Sequence, residues 1–132
     1  MKLVVRESRI GLGAFAKTLL LPGELIVDWS NHPLFQKPPR IPPTWRFKTF
    51  ALGVISGPLG PEEHPDAYIN HSCEPNAEII FERPKIQLVA RTKIAEGDEV
   101  TFDYATLYKA LYLKCLCGTP SCRTIIRGAG QL

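Results

Sequence analysis

The chain has 132 residues, 45% hydrophobic and 22% charged, with 16 basic against 13 acidic side chains and a formal net charge of +3. That is the size of one domain around a single core and the composition of a folded chain, which excludes a disordered polypeptide. No window approaches the eighteen or so apolar residues of a membrane span, and MKLVVRESRIG breaks off after Leu3-Val4-Val5, so neither a membrane protein nor a secreted one is expected.

Lys and Arg are spread along the sequence, the pattern of a solvated surface, and no direct nucleic-acid binding is expected. In chain order, Val4 to Ser8, Ala14 to Leu21 and Glu24 to Trp29 are short runs rich in branched and aromatic residues, separated by Gly11-Leu12-Gly13 and Pro22-Gly23. They predict strand, glycine turn, strand, tight turn, strand. Prolines at 33, 38, 39, 42 and 43 exclude a continuous helix and predict a loop over 31–46. A strand over Phe47 to Ile55 and a second Gly/Pro stretch, SGPLGPEEHP, follow.

Further along, Ala77 to Glu82 and Ile86 to Arg91 predict a hairpin through Arg83-Pro84-Lys85. Glu99 to Tyr104 predicts another strand after the turn Glu96-Gly97-Asp98. Only Leu107 to Leu113 has helical character, which would put Tyr108 and Tyr112 on one face. The fold class is mostly β.

Cys73 stands alone in NHSCEPN, whereas Cys115, Cys117 and Cys122 crowd together in KCLCGTPSC. Three thiolates in one short loop can share a metal ion, and a closed structural zinc site takes four ligands. Four-cysteine zinc is one reading. Two disulfides are another, disfavoured where thiols are kept reduced. A third treats Cys73 as a small buried apolar residue and completes the triplet with His or water.

Taken together, NHSCEPNA, AEGDEVTFDY and KCLCGTPSCR, preceded by GLGAFA and PGELIVDW, resemble the SET-domain protein lysine methyltransferases with a zinc-binding post-SET tail, in the form of a minimal, standalone member. The motifs occur in the family's order from about Arg9 to Arg123. The resemblance implies a SET-domain fold of several small β-sheets with a C-terminal pseudoknot, in which the FDY segment passes a loop next to NHSC. It implies a SET domain over 1–105 and a post-SET helix and zinc-binding tail over 106–132.

The resemblance also implies two bound groups, S-adenosylmethionine and one structural zinc ion on Cys73, Cys115, Cys117 and Cys122. Gly11, Leu12 and Gly13 would contact the cofactor through main-chain groups, since a missing Cβ permits close approach. Asn70 and His71 would hydrogen-bond it, Leu116 and Cys117 would cover its adenine, and Tyr104 would face its methyl group as the catalytic tyrosine. Phe102, two residues earlier, falls where the family carries Phe or Tyr. A Phe leaves room for a methylated amine, so di- or trimethylation is expected.

Trp29 departs from the family, whose corresponding segment usually ends in Tyr. A Trp can wall the lysine channel by its face or serve as core. Tyr68 would line that channel or support the cofactor pocket from behind. The implied partner is a lysine-containing protein or peptide, with histone tails first, chosen through the 31–46 loop, the 56–66 loop and the tail. A homodimer that completes the peptide groove is an open alternative. The expected location is intracellular, cytoplasmic or nuclear, or a host cell if the source is bacterial. The rival functions are a catalytically silent peptide- or cofactor-binding module and a zinc-stabilised interaction protein.

Overall fold

The computed structural model describes residues 1–31, 62–109 and 111–131. The expected strand over 47–55 and most of the 31–46 and 56–66 loops lie outside the described residues. β1 (Leu3–Ser8) and β2 (Gly11–Ala16) form an antiparallel hairpin with Ser8 opposite Gly11, so the turn is Arg9-Ile10. The glycine turn expected at Gly11-Leu12-Gly13 is therefore corrected to strand. Gly11 accepts this place because its φ of 116° lies where side chains are disfavoured.

After Ala16 the chain leaves the sheet, and Leu20 forms an isolated antiparallel bridge with Ile94. The Pro22-Gly23 turn is as expected. Glu24 N–H donates to the Leu21 carbonyl at 2.9 Å, and Gly23 has φ 85°, the geometry of a type II turn. The Glu96-Gly97-Asp98 turn repeats this arrangement, with Gly97 at φ 89°.

β3 (Leu25–Asp28), β5 (Ala77–Glu82) and β6 (Lys85–Ala90) build an antiparallel sheet in the order β3-β6-β5, with the expected hairpin closing where Glu82 meets Lys85. β4 (Asn70–His71) pairs in parallel with β7 (Thr101–Phe102). This small ladder brings the NHSC and FDY segments side by side, as the resemblance implies. Asn76 braces it: its amide donates to the Glu99 carbonyl at 2.8 Å and accepts from Thr101 N–H at 2.9 Å.

The helix expected over Leu107 to Leu113 is absent. A 3-10 turn at Tyr104–Thr106 is followed by β8 (Tyr112–Lys114), paired antiparallel with β9 (Ile125–Arg127). The reason is tertiary. Gly128, Ala129 and Gly130 donate main-chain bonds to the Leu111, Ala105 and Tyr108 carbonyls, and Leu111 and Tyr108 lie within the span an α-helix would have used. Gly130 packs so closely on the Leu107 main chain that a side chain there would collide with it. Tyr108 is consequently buried, whereas Tyr112 is exposed, with Arg127 over its ring at 5.0 Å, so they share no face.

Leu20, Ile69, Ile86, Leu88, Ile94, Val100, Phe102 and Leu107 are fully buried and join these small sheets into one core. Burial of such side chains contributes about 1.5–3 kcal/mol each. Among the described residues no helix is long and apolar enough to cross a membrane.

Candidate active site and thiolate cluster

Tyr104 begins the 3-10 turn and is almost fully buried. Its hydroxyl donates to the Ile69 carbonyl at 2.5 Å, and its backbone N–H donates to His71 Nδ1 at 3.0 Å. Burial, with further contributions from Tyr108 and Glu99, holds the phenol well above its ordinary pKa. It is therefore a neutral O–H donor at physiological pH. The Phe102 ring lies 5.0 Å from the Tyr104 ring and 6.2 Å from that of Trp29.

Trp29 is buried, not surface-exposed, and its indole N–H donates to Asp66 Oδ2 at 2.9 Å. Its backbone N–H donates to the Ile86 carbonyl, extending the β3–β6 pairing. Tyr68 ends a second 3-10 turn, Pro65–Tyr68, and packs half-buried against the core. That turn runs directly into Ile69, Asn70 and His71.

Burial lowers the His71 pKa to about 4, opposed by Asp103 and reinforced by Arg123. The ring is thus neutral, and its 3.7 Å approach to Asp103 is not an ion pair. Because the Tyr104 amide can only donate, Nδ1 accepts and the ring proton sits on Nε2, 3.4 Å from Cys73 Sγ. One imidazole thereby links the tyrosine strand to the thiols.

Asn70 Nδ2 donates to Glu99 Oε2 at 2.8 Å and to the Leu12 carbonyl at 3.0 Å, while Gly13 leaves room for this amide. Asn70 Oδ1 is buried and has no hydrogen-bond partner among the described residues. A buried acceptor left unpaired costs about 1–3 kcal/mol. It therefore fits a ligand donor such as the amino group of S-adenosylmethionine. Leu12 and Leu116 are both exposed, and Arg9 from the β1–β2 turn donates to the Leu116 carbonyl, drawing the tail towards β2.

The four cysteines are free, which removes the two-disulfide reading. Their sulfurs lie within 4.8 Å of one another, and Cys73 and Cys115 are 3.6 Å apart. Tetrahedral zinc with bonds of about 2.3 Å separates its sulfurs by about 3.8 Å, so the set fits zinc. Polar hydrogens already surround it. Arg123 N–H and Nε lie 3.4 and 3.3 Å from Cys73 Sγ, and Thr119 Oγ1 is 3.2 Å from Cys117 Sγ. Burial pushes Cys115 up; at Cys117 burial is outweighed by Thr119 and neighbouring backbone donors, which bring it to about 6.

Sequence reasoning gave no role to Asn76, Asp103 or Arg123, although all three sit inside the motifs quoted above. Arg123 donates to Asp103 Oδ1 at 2.7 Å, and the same oxygen caps the 3-10 turn through Ala105 N–H. Their signal was adjacency to motif residues. Glu99 lies inside AEGDEVTFDY as well, whereas Asp66 lies outside every quoted motif.

The SET domain family's sequence profile matches residues 11–105. The chain belongs to the SET domain family. It is 39% identical over 69 residues to the H3 lysine-36 specific histone-lysine N-methyltransferase of Candida albicans, covering 48% of this chain and 8% of that protein. It is 28% identical over 138 positions to the histone-lysine N-methyltransferase Set2 of Drosophila melanogaster, covering 95% of this chain and 6% of the relative.

Among solved structures, the SET fold is matched at TM-score 0.55 and 26% identity, over 92% of this chain and 55% of the other, in work on the product specificity of histone lysine methyltransferases. KRYPTONITE bound to mCHG DNA and SAH matches at TM-score 0.60 and 19% identity, over 94% of this chain and 28% of that one. This SET chain spans a small fraction, 8% and 6%, of these two curated relatives.

Proposed function

We propose that this chain methylates lysine side chains of proteins, histone tails first, using S-adenosylmethionine. The observation that carries this reading is the buried, protonated Tyr104 hydroxyl, fixed at both its ring and its backbone beside Phe102 in a SET-family chain. The relatives' names, which specify histone H3 lysines, favour histone H3 as the first substrate and a nuclear location with it.

When bound, S-adenosylmethionine supplies an electrophilic methyl group on a positive sulfonium. A lysine amine attacks only when neutral, against an ordinary pKa of about 10.4. The aromatic rings of Trp29, Phe102 and Tyr104 desolvate the ammonium and promote loss of its proton to water, so no dedicated base is needed. Tyr104 and the Ile69 carbonyl it holds orient the nitrogen lone pair towards the carbon, a positioning contribution. Asn70, His71 and the main chain of Gly11, Leu12 and Gly13 hold the cofactor, and Leu116 and Cys117 cover its adenine.

Zinc on Cys73, Cys115, Cys117 and Cys122 is structural in this reading. Residues 1–105 form the SET domain, and 106–132 form a tail pinned as a β8–β9 hairpin in place of the expected helix. Phe102 carries no hydroxyl to hold a water in the amine pocket, so products extend to di- or trimethyl-lysine. A homodimer and lysine substrates outside histones follow only if assays demand them.

The test is transfer of labelled methyl from S-adenosylmethionine to core histones and a cell lysate, with lysine products resolved by mass. Label on lysine that disappears in Tyr104→Phe supports the reading. Cofactor binding without transfer across the panel favours a silent binding module, and products that stop at monomethyl-lysine reject the role given to Phe102.

A further inference from the structure

Phe102 packs beside both Trp29 and Tyr104, and those two rings are bonded to one short segment. Trp29 donates to Asp66 at 2.9 Å, and Tyr104 donates to the carbonyl of Ile69, at the end of the same 3-10 turn. Every member is buried: Trp29 at 2% exposure, Asp66 at 7%, Ile69 and Phe102 at 0%, and Tyr104 at 3%. Phe102 is thus neighboured by two rings that both hydrogen-bond to the 65–69 segment, one through a side chain and one through a carbonyl.

Packing alone gives no reason for a carboxylate at Asp66. Burying one is costly unless it is hydrogen-bonded, and an apolar side chain would fill the same space. What the carboxylate adds is direction. The terminal torsion of an indole occupies broad wells, and a hydrogen bond from its N–H to a buried carboxyl oxygen narrows them to orientations that keep the bond. The two residues are 37 positions apart, so the bond also ties the end of β3 to the segment that carries Asn70 and His71.

We propose that Asp66 is a positioning residue: by fixing the Trp29 indole against Phe102, it sets the width of the pocket that receives the lysine amine, and hence how many methyl groups that amine acquires. This inference rests on the methyltransferase reading. Without this bond the indole is less constrained against Phe102, and the space between them widens. Asp66 therefore acts on product distribution more than on the first transfer.

The experiment compares the parent chain with Asp66→Ala, Asp66→Asn and Trp29→Phe. Each is given S-adenosylmethionine with core histones, and products are resolved by mass at equal turnover. Asp66→Ala raises the ratio of trimethyl- to monomethyl-lysine by about threefold or more, the effect of a contact worth a fraction of a hydrogen bond. Trp29→Phe, which removes the indole N–H, shifts it the same way, and Asp66→Asn, which keeps an acceptor, restores the parent pattern.

A second measurement needs no turnover: the affinity ranking of histone peptides carrying unmodified, monomethyl- or dimethyl-lysine, in the presence of S-adenosylhomocysteine. Asp66→Ala shifts that ranking towards the dimethyl form. If the parent chain transfers no methyl group, the methyltransferase reading fails, and the ranking still decides the role of Asp66. An unchanged product ratio or ranking in folded Asp66→Ala or Trp29→Phe overturns the proposal, leaving Asp66 a packing residue.

Discussion

Arg123 reaches from the thiol cluster to the tyrosine segment: its Nη2 donates to Asp103 at 2.7 Å, while its Nε lies 3.3 Å from Cys73 Sγ. Asp103 precedes Tyr104 and caps its turn. Through this one guanidinium the state of the sulfur cluster and the setting of the candidate catalytic tyrosine are mechanically joined.

Arg123→Ala is therefore expected to weaken zinc retention by about 10- to 100-fold, the usual effect of losing a partner just outside the ligand shell. Methyl transfer falls with it. Competition with a chromogenic chelator reads the first effect. Arg123→Lys restores charge but not the forked contact, so recovery is partial.

Tyr104→Phe is expected to lower kcat about 100-fold or more, the range for removal of one preorganised donor. Cofactor affinity, measured by calorimetry, stays close to that of the parent. The Ile69 carbonyl loses its partner, so stability falls by about 1–2 kcal/mol in a denaturant titration.

Purified under reducing conditions, the chain is expected to carry one zinc per molecule by metal analysis. Cys73→Ser or prolonged chelation removes it and lowers the melting temperature. Limited proteolysis should then cut first within residues 115–127, where β9 and its connection to β8 depend on the cluster.

Gly13→Ala tests the cofactor reading. A methyl group there would meet Asn70 Nδ2 at 3.0 Å and press still harder on Glu99 Oε2. The Asn70 amide must shift, carrying its unpaired oxygen with it. We expect S-adenosylmethionine affinity to drop about tenfold, the loss of roughly one good hydrogen bond, in a calorimetric titration.

Much of the fold was legible wherever local chemistry decided the outcome. Pro22-Gly23 and Glu96-Gly97-Asp98 became turns because a glycine takes the positive φ each requires. The β5–β6 hairpin followed from two branched runs closed by Arg83-Pro84. Local propensity failed at Leu107 to Leu113, where the Gly128–Gly130 backbone takes up the main-chain acceptors, and at Gly11–Gly13, where pairing with β1 extends through the glycines.

The site was legible to the depth of its motifs and no further. All four cysteines converge as the resemblance implied, and Tyr104, Phe102, Asn70 and His71 come together through strands of two residues each, too short to leave any periodic signal. The Trp29–Asp66 bond spans 37 positions and involves a residue with no pattern to mark it. Its existence is a property of packing alone.

The clasp between Arg9 and the Leu116 carbonyl spans 107 positions, and Cys73 meets Cys115 across 42. Closing such long loops costs entropy before any contact rewards it, so these fastenings form late. On a ribosome the hairpin of β5 and β6 can form while the cysteine triplet is still untranslated. Until Cys122 and Arg123 emerge, the four-thiol cluster and its link to Asp103 cannot be completed. The order of synthesis thus completes the cluster last, after every strand it fastens except β9 has been made.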